Sequence, residues 1–410
     1  MRSGRRIRMT IRRRARALRP VPTGIAPRRP PRRSDLRLAR VRKLILRNSQ
    51  SPGDVLMLTA AVRDLHLACP GQFATDVRTP CAALWAHNPH LTPLADDDAD
   101  ATRIDCQYPL IHYSNHRPVH FLHGFIDDLG RQLGVNIQPT AFKGDIHLAP
   151  EEKRWMSQVR EITRELVPFW IIVAGGKTDF TIKWWDAARW QEVVDRFRGR
   201  ILFVQVGGAR HVHPALDGVL DLRGRTDLRQ LVRLVYHAQG VVCPVTLLMH
   251  LAAAVEVKGG RPRNRPCVVV AGGREPVQWE AYPHHQFIHT NGALLCCDDG
   301  GCWKSRTVRL GDGDKKDERL CLDVVDLATG QRQPGKDWGP ETNGASRRFL
   351  PRCMEMITAD EVSRRIETYF QGGTARFLTT AEAEIAARAV AEHQSPRVDQ
   401  AQAKPIGAES

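Results

Sequence analysis

The sequence predicts an α/β protein built on parallel sheets with helices on both faces. Three observations predict it. Apolar runs of strand length alternate with amphipathic segments of about 10–15 residues. Three of the buried runs, Pro168–Gly176, Ile201–Gly208 and Pro266–Gly273, end in paired glycines, as strands do where a sheet leaves room for a ligand beyond its carboxyl edge. At 410 residues the chain exceeds one ordinary core, so two domains are expected.

Taken in order, Val41–Leu46 reads as a short strand and Asn48–Gly53 as a polar turn. Asp54–His66 then reads as a helix, with Val55, Leu58, Ala61, Val62 and Leu65 on its apolar face. Phe73–Val77, Ile104–Cys106 and the amphipathic His120–Gly134 complete a first unit. Glu151–Leu166 reads as one charged bridging helix. The second unit follows: strand Pro168–Gly176, a Trp-rich helix Trp185–Arg198, strand Ile201–Gly208, helix Asp227–Gln239, strand Gly240–Cys243 and helix Leu247–Val255. Strands Pro266–Gly273 and Gln286–Thr290 close it. Thr358 and Glu361 have capping-box spacing and open a helix to about Phe370. Beyond Gly372–Gly373 the Ala/Glu-rich stretch to Val390 reads as helical and the last twenty residues as loose. The expected organisation is a basic arm over 1–40, a first domain over 41–165, a second over 166–372 and a tail over 373–410.

Charge is concentrated at one end. Residues 1–50 hold 18 Lys and Arg against the single acid Asp35, while the other 360 residues carry 43 basic and 44 acidic side chains. The body is near neutral, which argues against specific nucleic-acid binding, where the positive charge sits on the fold itself. The Pro- and Arg-rich segment Arg2–Arg40 reads as a disordered arm. Three readings of it stay open: a solvated tail (or an over-extended start, with Met9 as an internal candidate), a contact with an anionic membrane face or acidic partner, and an organelle transit peptide. No apolar run approaches the ~20 residues of a membrane span, and no apolar stretch follows the basic start as in a secretory signal. A cytoplasmic protein, at most peripheral to the inner membrane face, is expected. Ten cysteines without a secretory signal argue against disulfides, and five of them fall between Cys296 and Cys353.

Three constellations carry chemistry. In Ser49–Leu56 a glycine and a carboxylate, Gly53 and Asp54, meet at a strand-to-helix junction, where Asp54 either caps the helix or faces the sheet mouth as a base. In Lys177–Trp190, Lys177 and Lys183 follow a glycine-ended strand and suit a diphosphate, or are solvated loop charges. In Val241–Ala254, Thr246 and His250 could face a phosphate, or be an N-cap and a buried packing histidine.

Their order resembles glycosyltransferase family 9, the heptosyltransferase-like family, from about Val41 to Phe370. The family's G-D-x-L is matched by Gly53-Asp54-Val55-Leu56, and its Lys-x-Trp…Trp segment in part by Lys183, Trp184 and Trp190. Its Gly-x-(Thr/Ser)-(Asp/Leu)-Leu stretch is matched by Gly224–Leu228, its D-(S/T)-G-x-x-H-x-x-A-A signature in part by Val245–Ala253, and its following loop by Gly272, Gly273, Glu275, Pro276 and Trp279.

The resemblance implies a GT-B architecture, two Rossmann-like doubly wound domains facing across a cleft. It also implies inverting transfer of a sugar from a nucleotide sugar, with ADP-heptose the expected donor and a glycan such as lipopolysaccharide core, or a protein, as acceptor. Carried over, Asp54 would be the catalytic base, and Lys183, Thr226, Thr246, His250 and Glu275 would surround the donor and its phosphates. No metal is required for such a transfer. The signature's Asp and Gly are Val245 and Leu247 here. That incomplete signature leaves a non-catalytic GT-B-like scaffold as the alternative. The run Cys296-Cys297…Cys302, Cys321 and Cys353 resembles the bacterial autotransporter heptosyltransferases, in which four cysteines hold iron. The implied ligands are Cys297, Cys302, Cys321 and Cys353, with Cys296 as a substitute, holding a structural iron or zinc that staples the Gly311–Asp317 loop; otherwise they are free cysteines.

Overall fold

A computed structural model describes residues 41–333 and 348–393. The basic arm and the end of the tail lie outside the described residues. Two parallel sheets dominate. The first has the order β2-β1-β3, from β1 (Arg42–Arg47), β2 (Phe73–Arg78) and β3 (Ala101–Asp105). Its middle strand pairs Leu44 with Thr75 and Thr102, and Leu46 with Val77 and Ile104. A strand paired on both sides and covered by helices must be apolar, and Leu44, Ile45 and Leu46 are buried accordingly.

Helix α1 (Pro52–Ala68) follows β1 and is buried at every residue from Val55 to Leu65. A helix buried all round must be covered on every side. It packs on α2 (Phe121–Leu133) and, across the cleft, on a helix of the second sheet. Its buried Arg63 is satisfied by Asp64 and by the carbonyls of Ala141 and Lys143.

The expected bridging helix is broken in two, α3 (Pro150–Arg154) and α4 (Gln158–Thr163). Ser157 is the physical reason: its hydroxyl accepts from the Arg160 amide at 3.0 Å, starting a new helix instead of continuing the old one.

The second sheet has the order β6-β5-β4-β7-β8-β9. It comprises β4 (Phe169–Ile172), β5 (Leu202–Gln205), β6 (Leu220–Asp221), β7 (Gly240–Pro244), β8 (Cys267–Gly272) and β9 (Gln286–His289), all parallel. Helices α5 (Ala187–Arg196), α6 (Leu228–His237), α7 (Leu247–Ala254) and α8 (Val277–Glu280) connect its strands. The Trp-rich helix begins at Ala187 because Asp186 caps it, accepting from the Ala188 amide at 3.0 Å. The Gly175 turn after β4 has φ 117°, and a side chain there would strike the Val212 carbonyl, so glycine is required.

A small antiparallel sheet, β11-β10-β12, is attached beside β8: β10 (Val324–Asp326), β11 (Arg332–Gln333) and β12 (Phe349–Pro351). Helices α9 (Arg352–Glu355), α10 (Ala359–Gln371) and α11 (Thr380–His393) end the described chain. Thr358 caps α10 through the Glu361 amide at 3.2 Å, and α11 returns to pack on β6 and α4. One apolar cluster runs through both large sheets, joining Leu44, Leu46 and α1 to Val204, Val241 and α7. No helix among the described residues is long and apolar enough to cross a membrane.

Candidate active site

The first turn of α1 meets α7 of the second sheet head to head. A methyl group placed on Gly53 would lie 3.5 Å from His250 Cδ2 and 3.9 Å from Leu247 Cα. Asp54 is the third residue of α1, in its first turn, and the N-cap position belongs to Ser51. Its Oδ1 accepts the Tyr108 hydroxyl at 2.6 Å. Burial, the largest influence, lifts the Asp54 carboxyl above the ordinary range. The hydrogen bonds from Tyr108 and from Asp54's own amide, with the charges of Lys183 and Lys177, pull the other way.

The second lobe supplies the cations. Lys177 Nζ reaches back to donate to Ser51 Oγ at 3.1 Å. Lys183, in the 3₁₀ turn after β4, pairs with Glu275 Oε1 at 2.6 Å, and Arg274 also pairs with Glu275. Burial pushes the Glu275 carboxyl up, but Arg274 and Lys183 together hold it below its usual value.

His250 is fully enclosed, with Nδ1 2.8 Å from the Tyr282 hydroxyl and Nε2 3.5 Å from Glu280 Oε2. Burial, helped by His120 and Lys183, lowers the imidazole to about 3, so it is neutral. Burial and the nearby Glu275 charge raise Glu280 to about 8, so it is protonated at neutral pH. The His250–Glu280 approach is therefore a contact of neutral groups and not an ion pair.

Asp54, Lys183, His250 and Glu275 thus meet at one place. Thr246 stands at the N-cap of α7, with its hydroxyl turned to the Pro244 carbonyl at 3.3 Å. Thr226 lies half-buried in the turn before α6, whose cap is Asp227. The two departures from the family signature have packing roles: Val245 is buried, and Leu247 packs against the core at the mouth of α1. Tyr108, Glu280, Tyr282 and Arg274 belong to the site but were not picked out from sequence. Glu280 follows the Glu275–Trp279 match directly, a signal that could have found it; Tyr108 sits in a loop without periodicity and offers none.

The cysteines gather behind the site. A methyl group on Gly273 would meet Cys297 Sγ at 3.0 Å and Cys353 Cβ at 3.5 Å, and the Cys302 amide donates to the Gly273 carbonyl at 3.3 Å. Cys321 Sγ and the Arg352 amide share the Asp323 carbonyl, at 3.2 and 2.9 Å. Among the described residues no three His, Cys, Asp or Glu side chains stand close enough to form a metal-binding group. The Gly311–Asp317 loop is held by Arg306, which is fully buried and hydrogen-bonds Asp312 at 2.8 and 2.9 Å and Asp317 at 2.5 Å.

Residues 141–293 match the family model of glycosyltransferase family 9 (heptosyltransferase). That span contains Lys183, Thr226, Thr246, His250 and Glu275, whereas Asp54 and the five clustered cysteines lie outside it. No curated protein sequence matches. The structure is similar to the bacterial iron-containing dodecameric glycosyltransferase TibC from enterotoxigenic E. coli, with 17% identity and a TM-score of 0.50 over 82% of this chain and 77% of that one. It is equally similar, at 16% identity and TM-score 0.50 over the same shares, to the dodecameric iron-containing heptosyltransferase TibC in complex with ADP-D-β-D-heptose. A glycosyl transferase family 9 protein from Veillonella parvula is similar over 81% of this chain and 98% of its own, with 13% identity and a TM-score of 0.49. The TibC likenesses are ones of fold, and the two parallel-sheet lobes are the GT-B architecture. Over residues 141–293 this chain is similar to glycosyltransferase family 9, the heptosyltransferase family.

Proposed function

We propose that the chain transfers a heptosyl group from ADP-heptose to a hydroxyl of a glycan or protein acceptor, with inversion at the anomeric carbon and Asp54 as the base. The observation that carries this reading is the placement of Asp54: a half-buried carboxylate on the first turn of α1, opposite Lys177 and Lys183 of the other lobe. The family and the ADP-D-β-D-heptose bound by TibC support the donor. In the displacement, the acceptor oxygen bonds to the anomeric carbon and its proton passes to Asp54. The bond from that carbon to the diphosphate oxygen breaks, and the electron pair leaves with ADP. Lys177 and Lys183 offset the charge that develops there, aided by the N-terminus of α7 at Thr246. His250, neutral and enclosed, fixes the wall between the lobes. Thr226 and Glu275 complete the donor side, Glu275 by holding Lys183. Leu247 in place of glycine narrows the approach of phosphate to backbone.

The expected setting is the cytoplasm, with the basic arm offered to an anionic membrane face. A panel of ADP-, UDP- and GDP-sugars, read by thermal shift and nucleotide release, tests the donor; a rise in melting temperature with ADP-heptose alone is expected. Equal response to all three nucleotides would contradict it.

We also infer that Cys297, Cys302, Cys321 and Cys353 hold a structural iron or zinc. The iron-containing TibC of similar fold supports this reading, as does the placement of Cys297 and Cys353 together against Gly273. Bound there, the metal would lock the loops behind the Glu275 segment. Elemental analysis of the purified protein should find one metal per chain, lost on Cys353→Ser; a metal-free, fully folded parental protein would exclude it.

A further inference from the structure

The reading of Asp54 as base leaves open what holds it in place. Its partner Tyr108 lies at the start of a short 3₁₀ turn, Pro109–Tyr113, and the hydrogen bonds of that turn form a continuous chain. The Ile111 amide donates to the Tyr108 carbonyl at 3.1 Å, and the Ser114 hydroxyl donates to the Ile111 carbonyl at 2.7 Å. Ser114 is fully buried, and its own carbonyl accepts from Gln278 Nε2 of the second lobe at 2.7 Å. The next residue, Asn115, is gripped at both ends of its amide. Its Nδ2 donates to the Gly301 carbonyl at 3.0 Å, and its Oδ1 accepts the Trp303 indole N–H at 2.7 Å.

The loop that grips it is unusual. Trp303 has a φ of 52°, a left-handed backbone that a bulky residue adopts only under constraint. Gly300 has a φ of 104°, and a side chain there would meet the Asn115 carbonyl oxygen at 3.0 Å, so this backbone approach requires glycine. The loop is itself fixed to the donor side: the Trp303 amide donates to the Arg274 carbonyl at 3.0 Å, and Arg274 Nε donates to the Lys304 carbonyl at 2.7 Å.

We infer that the Gly300–Trp303 loop is an inter-lobe clasp that positions the base, and that Asn115 is the positioning residue through which it acts on Tyr108 and hence on Asp54. A loop that carries Cys302 of the cysteine cluster then has a task in the reaction at the opposite side of the cleft. The groups that face Asp54 and set its titration are Tyr108, Lys177 and Lys183, with His250 on α7, Glu280 on α8 and Cys81 of the first lobe close by.

The test combines two readouts on the full chain. Amide hydrogen exchange across 108–116 should accelerate in Asn115→Ala, and in Trp303→Phe, which keeps the ring and removes only its N–H donor. With the nucleotide sugar that the parental chain turns over fastest, Tyr108→Phe should lower kcat roughly tenfold at unchanged donor KM, because a hydrogen bond to a charged group is lost. It should also move the acid limb of the pH–rate profile upward, since the lost bond favoured the ionised carboxyl. Asn115→Ala and Trp303→Phe should move that limb in the same direction by less. Faster exchange with an unmoved limb would reduce the clasp to a structural contact and overturn the inference, as would unchanged exchange in both clasp variants. Parental activity in Asp54→Asn would instead overturn the base, whatever the exchange shows.

Discussion

At the scale of single residues, the site is governed by how burial sorts its titratable groups. Asp54 is lifted by burial but faces two lysines and a tyrosine hydroxyl, so the ionised form remains reachable near neutrality. His250 and Glu280 are enclosed more strongly than the charges near them compensate, and both are neutral. The transfer rate should therefore fall as pH drops through an Asp54 value higher than that of an exposed aspartate. Glu280 carries a separate prediction about stability. Its carboxyl is raised from the ordinary 4.5 to about 8, so the folded state keeps a proton that the unfolded chain gives up. Its contribution is full below pH 4.5 and is lost as the pH rises through about 8. Glu280→Gln keeps a neutral side chain at every pH, so the parental protein should lose stability relative to the variant between those limits, as read by urea unfolding. A constant difference across that range would contradict the assignment. At this scale Asp54, Lys183, His250 and Glu275, which the structure brings together, stood out because each lies in a strand-to-helix connection or in the helix that follows it. Tyr108 was not, because the loop that carries it is fixed by contacts nearly 200 residues away, such as Asn115 with Trp303.

Among the elements, the long strands and helices follow their apolar periodicity, and the differences have local causes. Ser157 splits the expected bridging helix by capping a new one, and Asp186 delays the Trp-rich helix by two residues. The three-stranded sheet of β10, β11 and β12 has strands of two or three residues, too short to show a period. The polar loop beside it was expected to depend on a metal, yet Arg306 binds it through Asp312 and Asp317. Removing Arg306 leaves Asp317 mostly enclosed but Asp312 exposed to solvent, so Arg306→Ala should cost about 1–3 kcal/mol. Chemical denaturation would show this as a lower midpoint; a loss under about 1 kcal/mol, the value of a surface pair, would mean that the arginine is not the anchor.

In the whole molecule, the two lobes are joined by more than the chain between them. The apolar cluster is continuous from β1 to α7, and Arg229 of α6 reaches across to Glu152 of α3 at 2.7 Å and to the His147 carbonyl at the same distance. The head-to-head approach of α1 and α7 follows from this packing, and it brings a carboxylate from one sheet to the lysines of the other. The alternation of strands and helices made the two sheets legible. The cleft was not, because it depends on how side chains far apart in sequence meet. The central claim is that this meeting makes Asp54 the base. Comparing nucleotide release by the parental chain and by Asp54→Asn, both folded and both still binding the donor, tests it most directly. A fall of about 10²–10⁴-fold with donor affinity retained is the predicted result; release at the parental rate would contradict the account.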